Sequence, residues 1–137
     1  MTWGLAGRKL SIGWALALCY KVGFRGRDLT TAVALMTAES GRYTEAWHEN
    51  VPGTTQMSTD RGLFQINDKW HVDLSEADAF NAVANARYAY KMSQGQWFTP
   101  WAAFNNGAHV KYVPAVWAVR ALGRWKRKVH RVEKELG

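Results

Sequence analysis

Apolar positions along this chain recur mostly at helical spacing. Ile12, Ala15, Leu16, Leu18 and Cys19 follow that spacing over residues 11–22, and Gly23 is placed to end the helix. A second helix is predicted over residues 29–40, where Ala32, Leu35 and Met36 share a face, with Asp28 as N-cap and Gly41 as stop. Residues 42–60 are polar and rich in Thr, and residues 61–67 read as short and extended, so a small β-hairpin lobe is expected there. Ser75-Glu76-Ala77-Asp78 has the order of a capping box and opens an alanine-rich helix through Ser93, on which Phe80, Ala84 and Tyr88 share a face. Thr99-Pro100 starts a short helix that Gly107 closes. From Pro114 a last helix is expected to run to the end of the chain on a stripe of Val119, Leu122, Trp125, Val129, Val132 and Leu136. These elements predict an α+β chain, predominantly α. Neither a repeat nor an interdomain linker is visible, so residues 1–137 are expected to form a single domain.

Composition narrows the chemistry. At 137 residues the chain can bury a real core without disulfides, and its single cysteine, Cys19, lies in an apolar helical pattern that suits a buried, inert thiol. His48, His71, His109 and His130 are scattered, with no HExxH pair and no cysteine cluster, so no metal site is expected. No phosphate-cradling glycine loop occurs, and no cofactor is expected either. Arg8-Lys9 before an apolar run imitates a secretory signal. Gly13 interrupts that run, no small-residue cleavage site follows, and it continues without a break into Lys21-Val22-Gly23-Phe24. It is also too short to span a bilayer. The expectation is a monomer without an export signal and without stable membrane insertion.

Two carboxylates in unlike settings carry the candidate chemistry. Glu39 continues the face of Ala32, Leu35 and Met36 and ends its helix beside a loop, where partial burial disfavours the charged form. Such a group keeps its proton near neutral pH and can hand it to a leaving oxygen. Asp60 follows across the polar segment and is expected to stay ionised. One acid and one anion are what cleavage of a glycosidic bond requires.

The string Ala38-Glu39-Ser40, followed by Gly62-Leu63-Phe64-Gln65-Ile66-Asn67, resembles the lysozyme and soluble lytic transglycosylase superfamily, especially the small cell-wall-degrading domains of bacteriophages. The likeness extends through Asn81, Tyr88 and Ala103-Phe104-Asn105-Asn106-Gly107. Each piece is weak alone; their order and spacing together are specific. The resemblance implies a lysozyme-like fold with its hairpin lobe beside a cleft, and cleavage of the β-1,4 bond between N-acetylmuramic acid and N-acetylglucosamine in peptidoglycan. Glu39 would protonate the bridging oxygen, and Asp60 would stabilise the developing positive charge, attack it covalently or hold a water against it. Ser40 either hydrogen-bonds an N-acetyl group or caps the helix end. Gln65 and Asn67 suit contact with an acetamido group, since an amide side chain both donates and accepts. Asn81 and Asn105 are divided between lining the cleft and ordinary helix termini.

Phe104 departs from the family pattern. Transglycosylase relatives often carry there a tyrosine whose hydroxyl steadies the glutamate, whereas phenylalanine can only desolvate Glu39; Tyr88, Tyr90 or Tyr112 would have to supply a hydroxyl. Hydrolysis is therefore the main expectation, with a lytic transglycosylase forming 1,6-anhydromuramic acid as the alternative. A wall-binding or tail-structural module without catalysis is a second alternative. Phage proteins reach the wall through membrane lesions at lysis or as part of a virion, which suits synthesis in a host cytoplasm without a signal peptide.

Tryptophan and charge add partners. Of eight tryptophans, Trp14, Trp117 and Trp125 fit core stripes, while Trp47, Trp70, Trp97 and Trp101 fall in or beside loops where rings could stack on sugars. The net charge of +7 is concentrated in Arg120, Arg124, Lys126, Arg127, Lys128, Arg131 and Lys134, against Glu133 and Glu135. That basic last helix is either a solvated face or an attractor of anionic wall polymers. No nucleic-acid recognition motif accompanies the charge, so no nucleic acid is expected as a partner.

Overall fold

The computed structural model describes residues 2–137, and its centre is the pair of helices whose apolar faces dominate the first third of the chain. Helix α1 (Ile12–Val22) is capped by the Ser11 hydroxyl, which accepts from the Trp14 N–H at 3.1 Å, and is stopped by Gly23 at φ 133°. Ala15 to Cys19 are fully buried within it, and burial pushes the Cys19 thiol up, which keeps it protonated and inert. Helix α2 (Gly26–Ser40) begins earlier than residue 29, because Arg25 in extended conformation takes the N-cap place and Gly26 supplies a φ of 58°. Asp28 is therefore not the cap; it sits in the first turn and accepts from the Trp97 indole N–H at 2.9 Å. Gly41, left-handed at φ 62°, closes α2 immediately after Glu39 and Ser40.

The lobe is a four-stranded antiparallel sheet in sequential order: β1 (Trp3–Gly4), β2 (Trp47–Asn50), β3 (Ser58–Arg61) and β4 (Ile66–Asn67). The sequence predicts a hairpin lobe within residues 42–67, and β2 and β3 form it inside the polar segment; β1 is not predicted. Trp3 opposes His48, His48 opposes Asp60, and Asp60 opposes Asn67. Directly opposed residues share a face of an antiparallel sheet, so these four form one transverse row across all the strands.

Residues 61–67 are not one extended run. Gly62 at φ 78° and Gln65 at φ 49° fold residues 62–65 into a turn, and a β-carbon on Gly62 would fall 2.1 Å from the Ala79 carbonyl oxygen. The fully buried Asn85 clamps this turn: its amide donates to the Arg61 and Ala79 carbonyls at 3.1 and 2.8 Å, and its oxygen accepts from the Phe64 N–H at 3.0 Å. Asn85→Ala would strand all three buried backbone groups. Each costs about 1–3 kcal/mol when unpaired, so thermal unfolding should show a loss of at least about 3 kcal/mol.

The alanine-rich segment is two helices, α3 (Glu76–Ala79) and α4 (Ala82–Ser93), because Asn81 caps the second through its side chain and breaks the first from it. That resolves Asn81 as a helix cap and leaves Phe80 outside the α4 face it was expected to share. The short helix α5 (Ala102–Asn105) starts after Trp101 rather than at Thr99. The expected last helix is also interrupted. Helix α6 (Val113–Leu122) stops at Gly123, left-handed at φ 75°; a 3-10 run over Arg124–Arg131 follows, and α7 (Val132–Leu136) completes the chain. Trp125, Val132 and Leu136 reach the core, but Trp117 and Leu122 on the far side of the break are 51% and 68% exposed. Trp117 is thus not a core residue. Trp14 is half-buried, with Arg8, Lys128 and Arg131 stacked about its ring at 5.4–5.6 Å. Among the described residues no helix is long and apolar enough to cross a membrane.

Candidate active site

The C-terminal turn of α2 brings Glu39 to the surface of the core opposite β3, which carries Asp60. The two carboxylates line the same two hollows. One, of about 310 Å³, is bounded by Trp3, Gly4, Leu5, Ala46, Trp47, His48 and Gln65; the other, of about 370 Å³, by Gln65, Ile66, Asn67, Trp70, His71, Met92, Pro100, Trp101 and Ala102. Because Glu39, Asp60 and Gln65 belong to both, the hollows lie on either side of the carboxylate pair as parts of one groove.

The two acids differ electrostatically. Burial is the main reason that the Glu39 carboxyl is pushed up to about 7, and the negative charge of Asp60 adds to the rise. Asp60 is placed among donors instead. Asn67 Nδ2 donates to its Oδ1 at 2.9 Å, Asn50 Nδ2 donates to its Oδ2 at 3.1 Å, and His48 Nδ1 lies 3.8 Å away. The Arg61 side chain does not reach it. Successive residues of a strand point to opposite faces, so the Arg61 guanidinium lies behind the sheet and donates to the Leu74 carbonyl at 3.0 Å.

The remaining expected site residues divide. Gln65 lines both hollows, and its Nε2 is held by the Ala46 and Gly62 carbonyls at 3.0 and 2.9 Å, which fixes the amide beside Glu39 and Asp60. Asn67 lines one hollow, but its amide donates to Asp60 and to the Ser58 hydroxyl while its oxygen accepts from the Lys69 and Trp70 N–H groups. It positions Asp60 and the Trp70 turn. Ser40 is buried, donates to the Met36 carbonyl at 3.0 Å and accepts from the Arg42 N–H at 3.1 Å, and so caps the helix end. Asn105 donates to the Thr99 carbonyl at 2.8 Å, closing its own short helix. Phe104 packs among Trp97, Phe98 and His109, with ring centroids at 4.9, 5.6 and 5.1 Å, and does not line either hollow among the described residues. Of the four tryptophans placed near the cleft, Trp70 and Trp101 line it, Trp70 with 76% of its surface exposed, whereas Trp47 borders the smaller hollow but opposes Arg61, so its indole turns to the far face of the sheet. Trp97 is tied to Asp28 and faces Phe104 instead.

Several contributors carried no signal in the sequence. Asn50 and His48 are ordinary polar residues until strand register sets them against Asp60. His71 lines the larger hollow, its Nδ1 3.2 Å from the Tyr88 hydroxyl, which in turn donates to Asp73. Burial, with that bond to Asp73, pushes the Tyr88 phenol up to about 12. Since the phenol spends its one proton on Asp73, its oxygen accepts from His71, which places the imidazole proton on Nδ1. Tyr88 is thereby engaged away from Glu39, and Tyr90 packs edge-on to Phe24 at 5.1 Å.

A family model described as a lysozyme-like domain matches residues 16–103, a segment that carries Glu39, Asp60 and every other residue of the larger hollow. No curated protein and no solved structure matches the chain.

Proposed function

The chain belongs to the lysozyme-like domain family, and from that footing we propose that it cleaves the β-1,4 bond between N-acetylmuramic acid and N-acetylglucosamine in bacterial peptidoglycan by hydrolysis. The observation that carries this reading is the shared position of Glu39 and Asp60 between two hollows, with burial pushing the Glu39 carboxyl up to about 7. A groove continuing on both sides of the acids suits a glycan strand lying along it rather than a small molecule held at one end. Glu39 donates its proton to the bridging oxygen as the bond breaks, and positive charge spreads over C1 and the ring oxygen. Asp60, immobilised by Asn50 and Asn67, meets that charge, either by covalent attack or by holding a water against it. Gln65, with both Nε2 protons spent on the Ala46 and Gly62 carbonyls, offers its Oε1 as an acceptor to the acetamido N–H groups of the strand. In the competing reading, a lytic transglycosylase, the 6-hydroxyl of muramic acid closes on C1 after Glu39 takes its proton. The resemblance to small phage domains supports action at the bacterial wall, after release at lysis or from a virion. The direct test is clearing of purified walls with release of muropeptides; walls that stay turbid while the protein remains bound would leave a binding module only.

The basic segment adds a partner to this reading. Lys126 and Arg127 are exposed on the Arg124–Arg131 run, clear of the Trp14 cluster that holds Lys128 and Arg131. They attract anionic wall polymers, so wall association should weaken as ionic strength rises, since exposed charges are screened over about 8 Å at physiological salt. Lys126→Glu with Arg127→Glu should flatten that dependence in a cosedimentation assay. An unchanged slope would reduce the segment to a solvated surface.

A further inference from the structure

The groove extends beyond the part of the chain that the family model matches. Strand β1 (Trp3–Gly4) precedes residues 16–103, yet Trp3, Gly4 and Leu5 line the hollow that holds Glu39 and Asp60. Register decides which way Trp3 faces. It opposes His48, and His48 opposes Asp60, so Trp3 belongs to the same transverse row, and the same face, as the catalytic aspartate. Neighbouring strands lie about 4.8 Å apart, which puts Trp3 roughly 10 Å across the sheet from Asp60, a span of one to two pyranose rings. Its side is open: Trp3 is 57% exposed and Leu5 beside it 54%. Trp47 is the reason that the strand fits. Its indole lies over Gly4, where an added β-carbon would stand 2.6 Å from Nε1, so a larger residue there would have to displace the indole for β1 to pair.

We propose that β1 is a carbohydrate-binding edge added to the catalytic sheet, and that Trp3 stacks on a saccharide one or two units away from the bond that is cleaved. The proposal rests on the reading of the groove as a glycan site. A flat indole suits a pyranose face, whose C–H groups are apolar while its hydroxyls stay at the rim, and His48 stands between ring and carboxylate as a hydrogen-bonding group toward the intervening sugar. Trp70 is exposed on the other side of the acids, so the two indoles bracket the reacting pair and give the groove a length requirement. Ligands long enough to pass the acids and reach β1 gain from Trp3; shorter ones do not.

The experiment measures binding of the N-acetylglucosamine hexamer by calorimetry in the Glu39→Gln protein, with and without Trp3→Ala, and wall clearing with Glu39 intact. Trp3→Ala should weaken hexamer binding by roughly five- to tenfold, the scale of one aromatic contact, and raise KM for walls more than it lowers kcat. Trp3→Phe should recover most of the loss, and thermal unfolding of each variant shows that β1 still pairs. Unchanged hexamer affinity in Trp3→Ala overturns the proposal, as does a loss that Trp3→Phe does not recover, which would mean a displaced sheet. Failure of the protein with Trp3 intact to clear walls would instead sink the glycan reading itself, and the proposal with it.

Discussion

Glu39→Gln is expected to abolish wall clearing and, above about pH 7, to make the fold more resistant to heat. The loss of activity follows from geometry and protonation together. Glutamine keeps the shape of the side chain between the two hollows but has no proton for the bridging oxygen, and a positioned acid contributes ~10²–10⁴-fold to rate. The gain in stability follows from the same burial. Glu39 is raised from 4.5 to about 7, so its folded value lies above its unfolded one. Below 4.5 both states hold the proton and the residue does no harm; as pH rises from 4.5 to about 7, the unfolded chain releases it first, and the fold loses stability over that window. At about 1.4 kcal/mol per unit the loss amounts to at most about 3.5 kcal/mol, and glutamine escapes it. The difference in Tm between the two proteins should therefore be small in acid, grow through neutrality and level off above about pH 7. With Glu39 intact, clearing should fall by about tenfold per pH unit on that same alkaline side, as the acid form is depleted. Clearing that survives in Glu39→Gln would remove Glu39 from the mechanism; a Tm difference that is constant with pH would show that its carboxyl is not held out of water.

The parts of this protein that were legible in its sequence are those in which local chemistry and packing agree. Ser11 and Gly23 mark both ends of α1, and the apolar face of α2 runs straight to Glu39, so a partly buried acid at a helix end could be read from spacing alone. The last helix misled because Val119, Leu122, Trp125 and Val129 keep helical spacing across Gly123, and only the left-handed backbone there turns the two halves apart. Strand β1 was invisible for a different reason: two residues show no alternation, and their role comes from partners far along the chain. The polar site residues were ambiguous in kind. Ser40, Asn67 and Asn105 were read for their capacity to bond a sugar, and the fold spends that same capacity on a helix end, on Asp60 and on the Thr99 carbonyl. Donor and acceptor inventories can be read from a sequence; which partner arrives first is settled by packing.

Asp60→Asn is expected to slow hydrolysis by roughly tenfold to a thousandfold, on the scale of other preorganised electrostatic stabilisers. The structure strengthens the case for this residue by removing its competitor, since Arg61 is turned to the far side of β3 and leaves the carboxylate to Asn50, Asn67 and His48. Neither amide neutralises it. Asparagine at this position would keep the shape of the row but set one amide against the Asn67 or Asn50 N–H groups, so a Tm comparison must accompany the rate. The fate of the sugar is read from the products. A hydrolase leaves a reducing muramic acid, whereas a transglycosylase leaves a 1,6-anhydro product lighter by one water, and mass spectrometry of muropeptides from purified walls distinguishes them. Hydrolysis needs a water brought to C1 on the side of Asp60, so reducing products and a slowed Asp60→Asn variant are expected to occur together. Anhydro products with a rate unchanged by Asp60→Asn would assign Glu39 both proton transfers and confine Asp60 to holding β2, β3 and β4 in register.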